Sequence, residues 1–456
     1  MLVKGGLLVS ETGELKADIL VQNGKIAGLG PDILPPKNVE VVDAQGMLVL
    51  PGIIDVHTHF GLVNARGQRT ADDFFQGSVS AACGGVTTVI DYAEPLPGES
   101  LLAAAMKRRQ EAEGSMAIDF ALHVVVASFR DDDAPQLSSL VDYGITSVGE
   151  IFTAHPSLKI ERADLRRLMA CAREVGVLVT MHAEDDDVLA EAQGRLRAKG
   201  QLDKSYHGLS RPVEAEDRAI AWLIQMAKEV RCPLYIVHVS SGAGCKLIAQ
   251  ARQAGLEVMG ETCPHYLLLT DSAYQGENAG AFIMNPPLRR QVDTELLWEG
   301  ILNGALQVVT TDHCSYTPAQ KTLAKDWCDV FPGVPGVETL LPLLYSEGVG
   351  KGRLQLSDLV RLLATNPARI FGLYPQKGVL EIGSDADMVI FDPNHEVTIS
   401  AGSLHSAANY TPFEGWRVRG YPKMTILRGQ VIYDRGIFCG TPTHGAFVKA
   451  QKGVIV

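Results

Sequence analysis

Two histidines, His57 and His59, stand two residues apart in "PGIIDVHTHF", at the end of an apolar run. Side chains on a strand alternate faces, so this pair shares one face. Two imidazoles on one face at a strand end can chelate a single metal ion. Taken alone, the pair would more often be buried core histidines with satisfied hydrogen bonds. Three more polar residues close apolar runs in the same way: His182 in "GVLVTMHAE", His238 in "CPLYIVHVS" and Asp312 in "LQVVTTDHC". Burying five such groups for packing alone is too costly. The set therefore reads as a metal site. Nitrogen and oxygen donors without thiolate suit zinc, and manganese, iron, cobalt or nickel fit the same donors.

Eight apolar runs carry or flank these residues, at 52–59, 85–92, 119–126, 144–152, 176–184, 232–240, 255–263 and 306–314. Helical stretches such as "SLLAAAMKRRQEAEG", "ADLRRLMACAREVG" and "DRAIAWLIQMAKEVR" alternate with them. Apolar runs of this kind suit parallel strands covered on both faces. The prediction is an α/β fold, a (β/α)8 TIM-type barrel over residues 51–375, with its chemistry at the strand C-termini. Short β-like runs occupy both chain ends, from "GGLLVS" and "KADILVQNGKIAGLG" to "DADMVIFD" and "KMTILRGQVIYDRG". Asn23-Gly24 is a strong hairpin signal among them. Residues 1–50 and 376–440 are expected to form one composite β-sandwich domain. The tail 441–456 is expected to be either an arm on a neighbouring subunit or a loose end.

The 456 residues are 46% hydrophobic and 21% charged, which reads as soluble and globular. A net charge of −12 argues against a nucleic-acid surface and against an anionic-membrane patch. The eight cysteines include no Cys-x-x-Cys pair and fit a reducing compartment with free thiols. The first residues lack the pattern of a signal peptide, and no apolar stretch approaches the ~20 residues of a membrane span. A cytoplasmic location is the expectation.

"PGIIDVHTHF", "TMHAEDDD", "YIVHVSS", "GETCPHYLLLT", "NPPLR", "TTDHCSY" and "GVPGVETLLPLLYSEGVGKGRL" together resemble the cyclic amidohydrolases, most of all the dihydropyrimidinase/hydantoinase branch. The resemblance spans about residues 1–440. It implies a binuclear centre in which His57, His59 and Asp312 hold the more buried metal while His182 and His238 hold the other. It also implies a carboxylated lysine from strand four as the bridge, and Asp312 as the catalytic proton carrier. The implied reaction opens a small cyclic amide, imide or ureide by attack of a metal-activated hydroxide. A homo-oligomer, tetramer or dimer, goes with it. Other readings are an allantoinase- or dihydroorotase-like hydrolase, or a non-catalytic scaffold of the same fold.

The chain departs from that branch on strand four. The branch reads Gly-x-x-Ser-Phe-Lys-x-Phe-x-Ala-Tyr; this chain reads "GITSVGEIFTAH" over 144–155, with no lysine before Lys159. Counting from Thr146-Ser147 puts the lysine position at Gly149, and counting back from Phe152 puts it at Glu150. Glu150 is preferred because glycine offers no ligand. A glutamate presents the same two oxygens on a shorter arm, so two zinc ions without a carboxylated lysine are expected. The competing reading has Glu150 bonding a ligand histidine in a one-metal site. Three pocket positions also differ. His155 replaces the substrate-binding tyrosine, Asn285 a serine, and Pro332 an asparagine, which suggests a substrate other than dihydrouracil or simple hydantoin. His265 is a weaker pocket candidate. His313 is expected to support the strand-eight turn, and Asp72 and Asp73 to cap a helix. Arg289 and Lys321 are expected to be solvated, or else to contact an anion. "GAGC" at 242–245 could bind an anion at a helix start.

Overall fold

The computed structural model describes residues 1–456 except Ala65 and Ile455. All eight apolar runs of the central region form strands: Ile53–Thr58, Val86–Ala93, Asp119–Val124, Ser147–Phe152, Leu178–His182, Leu234–Ile236, Val258–Thr262 and Val308–Val309. They lie side by side in sequence order, each pair parallel. Between the eighth and first strands, Thr58 bridges His313, and the His59 N–H donates to the His313 carbonyl at 2.9 Å. This closes the barrel.

The connecting helices start and stop where the sequence provides caps. Ser100, Asp185 and Ser241 each accept a first-turn N–H at the start of Leu101–Ala112, Asp186–Ala198 and Gly242–Gln253. Gly144 and Gly176 end Ala134–Tyr143 and Arg162–Val175 with left-handed φ of 98° and 80°. Glycine takes that conformation without strain, so the chain can turn at once into strands four and five.

The lower barrel is apolar. Ile54, Ile90, Ala121, Leu178, Tyr235, Met259 and Val308 form one cluster with Ile370, Phe371, Leu373 and Val448. Val448 belongs to the tail, which is therefore not a loose end. The tail runs along its own barrel: Phe447 bridges Phe120, Val448 N–H donates to Phe120 at 2.8 Å, and Ala450 N–H donates to Gly144 at 2.8 Å. Covering Phe120 and the barrel floor removes apolar area from water, which outweighs the entropy of ordering the segment.

The two chain ends share a nine-stranded sheet, with strands from Leu2–Ser10 through Leu48–Pro51 and from Met388–Thr398 through Ile437–Phe438. Leu48–Pro51 pairs antiparallel with Met388–Thr398 and joins the halves. Asn23 and Gly24 form the predicted hairpin turn between Gly13–Gln22 and Lys25–Gly30. Among the described residues, no helix is long and apolar enough to cross a membrane.

Candidate metal centre

The polar strand ends converge at the top of the barrel. His182 is the last residue of strand five, and Glu150 lies within strand four. His238 and Asp312 stand just beyond strands six and eight, with left-handed φ of 37° and 50°. Such conformations cost a non-glycine residue about 1–3 kcal/mol and persist where the surroundings impose them. Here they accompany side chains that reach the cluster.

Glu150 occupies the middle. Its Oε1 lies 2.8 Å from His182 Nδ1 and 2.7 Å from His238 Nε2, and its Oε2 lies 3.8 Å from His57 Nε2. Asp312 Oδ1 lies 3.4 Å from His57 Nε2 and 3.2 Å from His59 Nε2. Two groups of donor atoms thus form, His57–His59–Asp312 and His57–Glu150–His238, each with its atoms within 4.8 Å of one another. The register question has a geometric answer. A Cβ on Gly149 would lie 1.7 Å from Thr180 Oγ1, so Gly149 is packed against strand five while Glu150 faces the cluster.

The donors fit a divalent cation. His57 Nε2 is buried, faces two carboxylates and, among the described residues, has no hydrogen-bond partner. Burial by itself would raise the Glu150 carboxyl, but hydrogen bonds from His182 and His238 hold it well below the usual carboxylate range. Burial opposes charge on His57 too, yet Asp312, Glu261 and Glu150 push it up to about 10; Glu150 and Glu184 push His182 up to about 9 against the same burial. The carboxylates around these imidazoles favour positive charge at the centre, which a metal ion would supply.

A second ring of side chains fixes which imidazole nitrogen faces inward. Glu261 Oε1 lies 2.6 Å from His57 Nδ1, and Tyr235 donates to Glu261 Oε2 at 2.8 Å. Glu184 Oε2 lies 2.9 Å from His182 Nε2, and Arg211 Nε donates to Glu184 at 3.0 Å. Carboxylate partners of this kind orient ligand histidines and raise their basicity. Asp55, fully buried, accepts from Thr310 and Thr311 and so ties strand one to the segment before Asp312. The sequence reading named none of these three carboxylates. Strand periodicity was a usable signal for Glu261, which lies in the buried run "VMGET".

The pocket candidates divide. His155 Nδ1 accepts the N–H of Ser157 at 3.2 Å and of Leu158 at 3.0 Å, so the ring carries its proton on Nε2 and can only donate there. Burial lowers His155 to about 4, which keeps it neutral. Asn285 Oδ1 is buried and, among the described residues, without a partner, next to a cis Asn285–Pro286 bond. Pro332 is exposed, and its carbonyl accepts from the Cys314 thiol, 3.9 Å away. His265 is buried, with Nε2 unpartnered among the described residues.

Several weaker expectations change. Asp73 caps Phe74–Cys83, but Asp72 does not cap it. Asp72 is buried, bonds His313 Nε2 at 2.9 Å and accepts from Ser406 and Ala407 at 2.6 Å each. Arg289 is neither solvated nor free for an anion. It donates to Glu216 and Ser240 at 3.0 Å each and to the Arg211 carbonyl at 2.6 Å. Lys321 is buried and donates to the Ile283 carbonyl at 2.8 Å. At the "GAGC" helix start, Asp293 accepts from Gly242 and Ser241 from Gly244, so these N–H groups are already engaged.

Residues 48–432 match the model of the amidohydrolase family. The chain belongs to that family. Over 99% of both chains it is 38% identical to the D-hydantoinase of Ralstonia pickettii. It is 39% identical to the D-hydantoinase of Geobacillus stearothermophilus, over 99% of this chain and 96% of that one. The crystal structure of dihydropyrimidinase from Brevibacillus agri NCHU1002 superimposes with a TM-score of 0.97 at 36% identity, covering 99% of each chain. This amidohydrolase therefore sits in the hydantoinase/dihydropyrimidinase branch, a branch of metal-dependent enzymes, and carries a cluster of candidate metal ligands.

Proposed function

We propose that this amidohydrolase opens the ring of a small cyclic amide, imide or ureide by hydrolysing a C–N bond, using two zinc ions held by His57, His59, Glu150, His182, His238 and Asp312. The observation that carries the reading is the placing of Glu150, with one oxygen against His182 and His238 and the other towards His57. That is the disposition required of a carboxylate shared by two cations. Bound zinc supplies a Lewis acid and lowers the pKa of water to make a nucleophile at neutral pH.

The chain's own groups supply the rest. Asp312, 3.2 Å from His59, is the carboxylate positioned to take the water's proton and return it to the leaving ring nitrogen. His155 donates from Nε2, and Asn285 brings an unpaired amide oxygen, so the pair can read the polar edge of a ureide. Pro332 contributes shape rather than a side-chain hydrogen bond. Zinc over other divalent metals rests on the nitrogen and oxygen donor set. A dimer or tetramer follows the branch, and a cytoplasmic location rests on eight free cysteines.

Screening cyclic ureides and imides for loss of ring absorbance near 230 nm, together with elemental analysis, tests this. The expected result is opening of at least one five- or six-membered ring by protein with two metals per chain. Opening of allantoin or dihydroorotate alone would assign the chain to those chemistries instead. No opening across the panel by fully metal-loaded protein would sink the hydrolase reading.

A further inference from the structure

Strand two carries its barrel-interior residues at even numbers. Ile90 joins the apolar barrel floor, and the Tyr92 ring lies 4.9 Å from those of His57 and His59, level with the metal ligands. The odd residues face the helices: Val89 and Ala93 pack in the outer core, and Asp91 accepts from Arg108 Nε on Leu101–Ala112 at 3.1 Å. The next even residue is Glu94. The Val125 N–H donates to the Ala93 carbonyl at 2.9 Å, so the pairing with strand three still holds there. Pro95 follows, and a residue before proline is kept extended. The alternation therefore carries through Glu94 and aims its carboxylate inward, one layer above Tyr92 at the mouth of the barrel.

Two further observations agree with that placing. Glu94 is exposed, whereas every residue of strand two before it is buried. Yet enough protein surrounds the carboxyl that burial raises it, against the opposing effect of His59 and Arg108. A group open to solvent but enclosed by protein lines a cleft; on a convex surface it would be open without being enclosed. The charge is also unmatched. Among the described residues no lysine or arginine forms an ion pair with Glu94, and Arg108 is engaged by Asp91 and, at 3.3 Å, by Glu111. An enclosed carboxylate without a cation is costly to keep.

We propose that Glu94 is a specificity determinant of the substrate pocket, pairing with a cationic substituent, a protonated amine or guanidinium, on the arm of the cyclic amide or ureide that the centre opens. The inference rests on the ring-opening function proposed above and names the substrate class for it. The three changed pocket positions leave room for this role: His155 is neutral, and Asn285 and Pro332 carry no charge, so none of them competes for the arm's cation.

The test measures kcat/KM of the full-length, metal-loaded protein on hydantoin and dihydrouracil rings, unsubstituted and with arms of matched size: aminobutyl, pentyl and carboxypropyl. Wild type should favour the aminobutyl arm over the pentyl arm by about tenfold or more, with the preference shrinking as ionic strength rises. Glu94→Gln keeps the shape of the side chain and should bring that ratio towards one at equal metal content. Glu94→Lys should turn the preference towards the carboxypropyl arm. A wild type that opens rings but favours the pentyl or carboxypropyl arm, or accepts no arm, overturns the proposal. So does an aminobutyl preference that Glu94→Gln leaves unchanged. Loss of metal from the glutamine variant also overturns it, by assigning Glu94 to the metal instead of the substrate. Metal-loaded wild type that opens no ring, substituted or not, defeats the hydrolase reading itself and this inference with it.

Discussion

Glu150 Oε1 and His238 Nε2 lie 2.7 Å apart across the barrel, the shortest link between strand four and the segment after strand six at this centre. The same oxygen bonds His182, so one carboxylate atom organises two ligand histidines while its partner oxygen turns to His57. Glu150→Ala removes both oxygens. Metal content should fall from about two to about one per chain, and turnover by roughly a hundredfold or more. Glu150→Gln keeps the volume and serves as the folding control. A variant that keeps both metals would assign Glu150 to structure alone.

A bridge that is part of the polypeptide needs no added carbon dioxide. Protein stripped with chelator and reloaded with zinc in carbon-dioxide-free buffer should regain both ions and full activity, at a rate that bicarbonate does not change. The readout is metal content against time with and without bicarbonate. A requirement for bicarbonate would mean that some lysine is carboxylated after all.

The carboxylates behind the ligands make a graded prediction. Glu261→Gln replaces the carboxylate 2.6 Å from His57 Nδ1 with a neutral amide, and Glu184→Gln does the same behind His182 Nε2. Each should weaken metal binding about tenfold to a hundredfold without unfolding the barrel. Competition with a chromophoric chelator measures this. The two changes act on different ligands, so the double variant should lose about the sum in free energy.

The eight strands and five of the six proposed ligands could be read from the sequence, because apolar runs ending in His or Asp carry their own register. Glu150 needed a comparison of motifs, and two registers competed until Gly149 proved to pack on Thr180. What stayed hidden depends on pairings distant in the chain. Asp55 meets Thr310, Asp72 meets Ser406, and the tail's Val448 meets the barrel floor. No local period encodes such contacts. Asp72 and Arg289 were misread for one reason: charged residues are mostly exposed, and the default fails when a partner such as His313 or Glu216 is buried alongside.

Lys321 makes stability depend on pH. Burial lowers its ammonium from the ordinary 10.5 to about 7 in the folded chain. Between those values the unfolded chain holds the proton and the folded chain does not, so the unfolded state binds more protons. Stability from this group therefore rises with pH from about 7 towards 10.5, with a slope of up to about 1.4 kcal/mol per pH unit. Lys321→Met should flatten the rise. The Ile283 carbonyl keeps the Gly333 N–H as a donor at 3.0 Å, so the variant leaves no orphaned acceptor. Urea titrations at several pH values from 7 to 10 give the comparison, and parallel curves for the two proteins would refute it.

Lys377 joins the barrel to the segment that leads into Met388–Thr398 of the sheet. Its side chain is 1% exposed, and Nζ lies 2.5 Å from Asp119 on barrel strand three, 3.0 Å from Asp385 and 2.6 Å from Asp387. Burial opposes its charge, but Asp387, Asp119 and Asp385 hold it protonated above the ordinary range. Arg428 reaches the same Asp119, whose carboxylate also accepts the Ala446 N–H at 2.9 Å. One ammonium thus anchors barrel, sheet and tail. Lys377→Met leaves three buried carboxylates facing one another, with Arg428 still at Asp119, Lys25 still at Asp385 and, among the described residues, no cation at Asp387. Removing one partner of a buried ion pair costs about 3–5 kcal/mol. The variant should unfold at correspondingly lower urea, and adding Asp387→Asn should recover part of the loss by removing a negative charge. If Lys377→Met unfolds at the wild-type midpoint, the network is not what holds the chain ends to the barrel.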